Sequence, residues 1–95
     1  MTKAELVSAI AQRTGIEKAT VLGTIEEFMS VMKETMSKGE NVYLRGFGSF
    51  ILKRRAEKIG RNITKNTSIK IPAHYIPAFK PARPFSNEVK KKVKA

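Results

Sequence analysis

The sequence predicts an α+β fold: two N-terminal helices, a small antiparallel sheet carrying a long β-ribbon arm, and a short C-terminal helix, repeated in a homodimer. Three observations predict it. Apolar residues recur every three or four positions up to Met36, short β-rich runs flank glycines between Asn41 and Leu52, and the balance of charge reverses between the two halves. Ninety-five residues leave room for one domain. Within it, 1–40 is read as a helical dimerisation region, 41–80 as the sheet with an arm at about 53–72, and 81–95 as the C-terminal helix.

Thr2-Lys3-Ala4-Glu5 has the pattern of a capping box, in which hydroxyl and carboxylate satisfy free N–H groups of a first helical turn. Leu6, Val7 and Ile10 give that helix an apolar face, and Gly15 is placed to end it in the left-handed conformation. A second helix is expected from Glu17 or Lys18 to Gly39. Its residues Leu22, Ile25, Met29, Met32 and Met36, widened by Val21 and Phe28, form a stripe too broad for one small chain to cover. A second copy supplying the missing half of the core is the expected remedy.

Asn41–Arg45 and Ser49–Leu52 read as a hairpin around Gly46-Phe47-Gly48. From Lys53 to Arg61 the chain is too basic to pack into a core. Thr64–Thr67 is made of turn formers, and Ser68–Ile71 reads as a returning strand, so a β-ribbon with its tip near 62–66 is expected. Pro72, Pro77, Pro81 and Pro84 are expected to confine the next stretch to edge or connecting structure, with Phe79 and Phe85 anchoring it. Phe85 to Val93 fits a short helix, whose Lys90, Lys91, Lys92 and Lys94 suit either its dipole or a contact with a polyanion such as the charge pattern below implies.

The formal charge is +11, and it is segregated. Residues 1–44 hold five basic and six acidic side chains, whereas residues 45–95 hold fourteen basic and two acidic ones. A net of −1 on one half and +12 on the other is the electrostatic footprint of a face for a polyanion. The absence of cysteine excludes disulfides and thiolate chemistry. With no stretch near the ~20 apolar residues of a membrane span, and no apolar leader at the N-terminus, the expectation is a soluble, cytoplasmic chain. His74 is the only histidine, and Glu57 and Glu88 are the only carboxylates of the basic half, so no catalytic set or metal cluster is expected there. The chain is not expected to be an enzyme or to need a cofactor. Asn62-Ile63-Thr64 and Asn66-Thr67-Ser68 fit the N-glycosylation pattern but are better read as tip residues able to reach sugar and phosphate oxygens.

Arg45-Gly46-Phe47-Gly48-Ser49-Phe50, then Gly60-Arg61-Asn62, Ile69-Lys70-Ile71-Pro72 and Pro77-Ala78-Phe79-Lys80, resemble the HU/integration host factor family of bacterial histone-like nucleoid proteins over the whole chain. The resemblance implies an intertwined dimer whose two arms wrap the minor groove of double-stranded DNA, bending and compacting it in the nucleoid with low sequence specificity. It assigns Phe47, Phe50 and Phe79 to the core, Lys53, Arg55, Lys58 and Arg61 to the arm's DNA face, and Lys3, Lys80 and Arg83 to body positions near phosphates. Arg54, Lys65 and Lys70 join them from their placement alone, and Asn62 and Thr64 as tip residues. Where the family has an intercalating proline near the tip, this chain has Ile63. Isoleucine is apolar, β-branched and able to unstack a base step, so the position reads as a wedge or as an ordinary exposed side chain. Bent, nicked or flexible duplexes are the expected preference. The rival readings are a sequence-specific bender of the integration host factor type, a small basic RNA-binding protein, and a membrane-surface protein. The last is disfavoured because the lysines do not lie on one face of an amphipathic helix.

Overall fold

A computed structural model describes residues 1–62 and 67–95. The order is α1 (Lys3–Thr14), α2 (Lys18–Ser37), β1 (Val42–Leu44), β2 (Gly48–Arg55), β3 (Lys58–Asn62), β4 (Thr67–Ile71), β5 (His74–Pro81) and α3 (Arg83–Lys92). Local chemistry sets the helix ends. Thr2 Oγ1 accepts from the Glu5 N–H at 3.3 Å, while the Glu5 carboxylate accepts from the Thr2 hydroxyl at 3.2 Å, so one half of the capping box is formed. Gly15, at φ 75°, closes α1 with its N–H donating to Ala11 O. Gly39, at φ 92°, follows the Lys38 cap of α2.

β1, β2 and β5 form an antiparallel sheet in the order β1-β2-β5, and β3 and β4 form a separate two-stranded ribbon. The expected hairpin is present, with Gly46 at φ 82° in its turn and the Phe47 N–H donating to Leu44 O at 2.9 Å. The expected arm differs in one respect. Lys53, Arg54 and Arg55 remain in the body sheet, opposite Ile76, Tyr75 and His74, and the separate ribbon starts only at Lys58. Even so, the two ladders keep a single register. Stepping inward from Gly48↔Pro81, one residue per strand, leads through Arg55↔His74 to Lys58↔Ile71 and Asn62↔Thr67 with no residue gained or lost. Only Ala56-Glu57 and the facing Pro72-Ala73 fall outside the ladder, where proline has no N–H to donate. Pro77 and Pro81 are accommodated because β5 is an edge strand. Pro84 does not interrupt structure as expected. It stands in the first turn of α3, where its missing N–H costs nothing, so the helix begins two residues before Phe85 and ends at Lys92.

The sheet's helix-facing side carries Phe50 and Phe79, whose rings lie 4.8 Å apart. Phe47 adds contacts at 5.3 Å to Phe79 and 5.2 Å to Phe85, binding the turn, β5 and α3 into one aromatic cluster. Gly48 is dictated by this cluster. A Cβ there would meet Phe79 Cε1 at 2.6 Å and the Lys80 carbonyl oxygen at 2.7 Å, and the backbone oxygen cannot yield. Gly48→Ala is therefore expected to cost about 1–3 kcal/mol, measurable by urea unfolding, whereas an unchanged midpoint would show that the strands separate freely there.

The core of a single chain is very small. Val7 and Val21 alone are buried among the described hydrophobic residues, while Phe47 is 46% and Phe79 40% exposed. Phe28, Met29 and Leu22 on the α2 stripe are exposed as well. The accessible surface is 8405 Å², against about 5,500 Å² for a compact monomer of this mass. The radius of gyration is 18.8 Å, against about 12 Å for a compact chain of this length.

Candidate nucleic-acid interface

Side chains alternate across a strand, and residues paired across an antiparallel ladder share a face. The register therefore sorts the basic residues of the sheet. Lys53, Arg55 and Lys80 fall on one face, with Ser49, Ile51, His74, Ile76 and Ala78. The other face carries Phe50, Leu52, Pro77 and Phe79, and there Met32 and Met36 of α2 join Leu52, Tyr75 and Pro77 around a groove. The cationic face is thus the one turned away from the helices. Arg54 pairs with Tyr75 and belongs to the helix side, so its adjacency to Lys53 and Arg55 in sequence does not place it with them.

In the ribbon, Lys58 faces Ile71 and Lys70 faces Ile59. Lys70 Nζ lies 3.0 Å from Glu57 Oε1, diagonally across the break in the ladder. The pair is largely exposed, worth ~0–1 kcal/mol, and easily exchanged for a phosphate. Arg61 and Asn62 hold register positions opposite Ser68 and Thr67. Ile63, Thr64 and Lys65, with the expected tip, lie outside the described residues. On the body, Lys3 opens α1 and is bound to Glu26 of α2 at 3.0 Å. Lys80 is opposite Ser49, and Arg83 is the first residue of α3. The Ala82 N–H donates to Phe47 O at 2.9 Å, which brings Lys80 and Arg83 to the same end of the sheet as the β1–β2 turn.

That turn also contains Arg45, which the sequence reading counted in the charge but left out of the site. The reading also passed over Ile59, Ile69 and Ile71, all exposed on the ribbon. Their signal was present: β-branched residues alternating with cations, in a run with no further strand or helix to cover them. Among the described residues no group of three or more metal-ligating side chains converges, and no helix is long and apolar enough to cross a membrane.

A two-stranded basic ribbon with exposed isoleucines, rooted in a sheet whose outer face is cationic, defines a nucleic-acid-binding protein of the β-ribbon class. Residues 1–90 match the family model described as bacterial DNA-binding protein. The chain is 37% identical to DNA-binding protein HU of Thermus thermophilus over 91 residues, covering 96% of this chain and 94% of that one. It is 38% identical over 96 residues to integration host factor subunit beta of Hahella chejuensis, covering 100% and 98%. The structure of Anabaena HU in a cocrystal with DNA superposes with a TM-score of 0.89 at 34% identity, covering 95% of this chain and 98% of that one. The chain belongs to the bacterial DNA-binding protein family of HU and integration host factor. This is a family of architectural DNA-binding proteins and not of enzymes, in agreement with the sequence reading.

Proposed function

We propose that two copies of this chain form an intertwined dimer that binds double-stranded DNA through the minor groove with little sequence preference, bending and compacting it as a nucleoid-associated protein. The observation that carries the reading is the single ladder from Gly48↔Pro81 to Asn62↔Thr67, which joins a cationic sheet face to a ribbon standing away from the body. A ribbon suits a groove, and minor-groove edges distinguish A·T from T·A poorly, so deformability governs choice more than base identity. The similarity to an HU solved with DNA favours the general binder over the site-specific one. The excess of about 3,000 Å² of accessible surface supports the dimer, because obligate interfaces bury some 2,000–5,000 Å² in total, about 1,000–2,500 Å² per partner. An open groove between α2 and β1, lined by Gly23, Phe28, Val31, Met32 and Val42, is where the second copy would seat.

Ile63 takes the role of the tip wedge in this proposal. HU and integration host factor are themselves type cases of the trade in which a few kcal/mol of unstacking is offset by contacts that the bent duplex gains. Energy transfer across a doubly labelled duplex tests the proposal. Wild-type protein is expected to shorten the end-to-end distance, and Ile63→Ala to relax the bend while keeping most of the affinity. A duplex that stays straight when saturated with wild-type protein would refute the bending function, and an unchanged angle in Ile63→Ala would remove the wedge. Competition with double-stranded RNA of the same sequence separates the RNA reading, which requires RNA to bind at least as tightly.

A further inference from the structure

His74 ends β5 nearest the arm, directly opposite Arg55 and on the same face as Lys53 and Lys80. Its Nδ1 lies 2.9 Å from the Pro72 carbonyl oxygen. A carbonyl oxygen only accepts, so Nδ1 carries a hydrogen, and in the neutral ring Nε2 is then a bare acceptor. The ring is exposed, and no protein partner for Nε2 is found among the described residues. A neutral His74 therefore presents a lone pair beside the N–H donors of Arg55 and Lys53, whereas a protonated one presents a donor.

We propose that His74 is a phosphate ligand of the DNA-binding face and engages only in its protonated form, so that DNA binding takes up a proton. This rests on the proposed DNA-binding function and adds to it a residue and a regulator, pH. The charged groups around the ring favour the coupling. Arg55 stands across the ladder and Lys53 is its diagonal neighbour, so a phosphate drawn to either is brought beside the ring. Glu57, the carboxylate nearest in sequence to this stretch of the ladder, is engaged by Lys70 at 3.0 Å. A DNA phosphate there offers Nε2–H an acceptor. The Pro72 contact, made by the other ring nitrogen, persists in both states and holds the ring at the junction between sheet and ribbon.

The sign follows from linkage: a complex that binds more protons than its components weakens as pH rises. Between roughly pH 8 and pH 5.5, where histidine side chains change charge, log K for duplex binding should rise as pH falls, with a slope approaching about −1 per engaged ring. The experiment is isothermal titration of the wild-type protein into a nicked duplex, at fixed ionic strength, in pairs of buffers that differ in ionisation heat, MES and Bis-Tris in the lower part of that range and HEPES and Tris in the upper part. It is repeated with His74→Gln, which keeps polarity but cannot titrate, and with His74→Arg, which is permanently charged. The expected result is a buffer-dependent heat showing proton uptake by the wild type and a pH slope in both variants flatter by about one proton per ring. His74→Arg should hold at pH 8 an affinity at or above that of the wild type at pH 6. Equal slopes in wild type and His74→Gln would overturn the proposal while leaving DNA binding intact. A wild-type protein with no affinity for the duplex at any pH would overturn both readings, so the two failures are distinguishable.

Discussion

Phe79→Ala is expected to cost about 3–5 kcal/mol, enough to remove most of the folded population at micromolar concentration. The Phe79 ring touches Phe50, Phe47 and Phe85, with centroids at 4.8, 5.3 and 6.3 Å, and closes over Gly48. In a single chain, however, Phe79 is 40% exposed. A ring exposed to that degree would lose roughly half the free energy of a fully buried one on truncation, since the transfer contribution scales with the apolar area removed from water. The size of the effect therefore reports whether a second copy covers this face. Thermal unfolding at several protein concentrations checks it: the wild-type midpoint should rise with concentration, and Phe79→Ala should lower it steeply. A concentration-independent midpoint together with a loss of only ~1–2 kcal/mol would mean that the chain is a monomer with a frayed core.

The second large effect concerns the cationic face. Replacing Lys53, Arg55 and Lys80 together by Gln removes three charges per chain, six per dimer. Each phosphate contact contributes about −0.9 to the slope of log K against log salt, so the slope should become shallower by up to about five. The affinity loss should be largest at low salt and shrink by up to about a thousandfold between roughly 50 and 200 mM, because the wild type loses about that much over this range through six such contacts. The register makes a sharper statement about neighbours in sequence. Arg55→Gln should weaken binding more than Arg54→Gln, because Arg55 lies on the outer face and Arg54 opposite Tyr75 on the helix side. Titrations at four or five salt concentrations decide between them, and equal losses would show that the face assignment does not govern contact with DNA.

How much of this was legible in the sequence depends on how local each cause is. Thr2, Gly15 and Gly39 act within one turn of chain, and the helices begin and end where those residues predict. The hairpin around Gly46 is equally local. The start of the ribbon is not, since whether Lys53 pairs within the body or along the arm depends on where the returning strand breaks, and that is set by Pro72 some twenty residues on. Pro84 was misread because proline's effect reverses with position, disruptive inside a helix and harmless in its first turn. The charge count points to the half that forms β2, the ribbon and β5. It could not divide Arg54 from Arg55, since the faces of a strand follow from register and not from composition. The open apolar stripe of α2 was legible, with Leu22, Phe28 and Met29 exposed as its breadth predicts, because the shortage of core is a property of the whole chain.

The most direct test of the central claim is a comparison of affinities for two duplexes of identical sequence, one intact and one nicked at its centre, measured across a salt series. If ribbons bend DNA while a cationic body gathers its phosphates, the nicked duplex costs less to deform and should bind at least tenfold more tightly, with both affinities falling steeply as salt rises. Equal affinity for the two duplexes, with a salt slope near zero, would contradict the account.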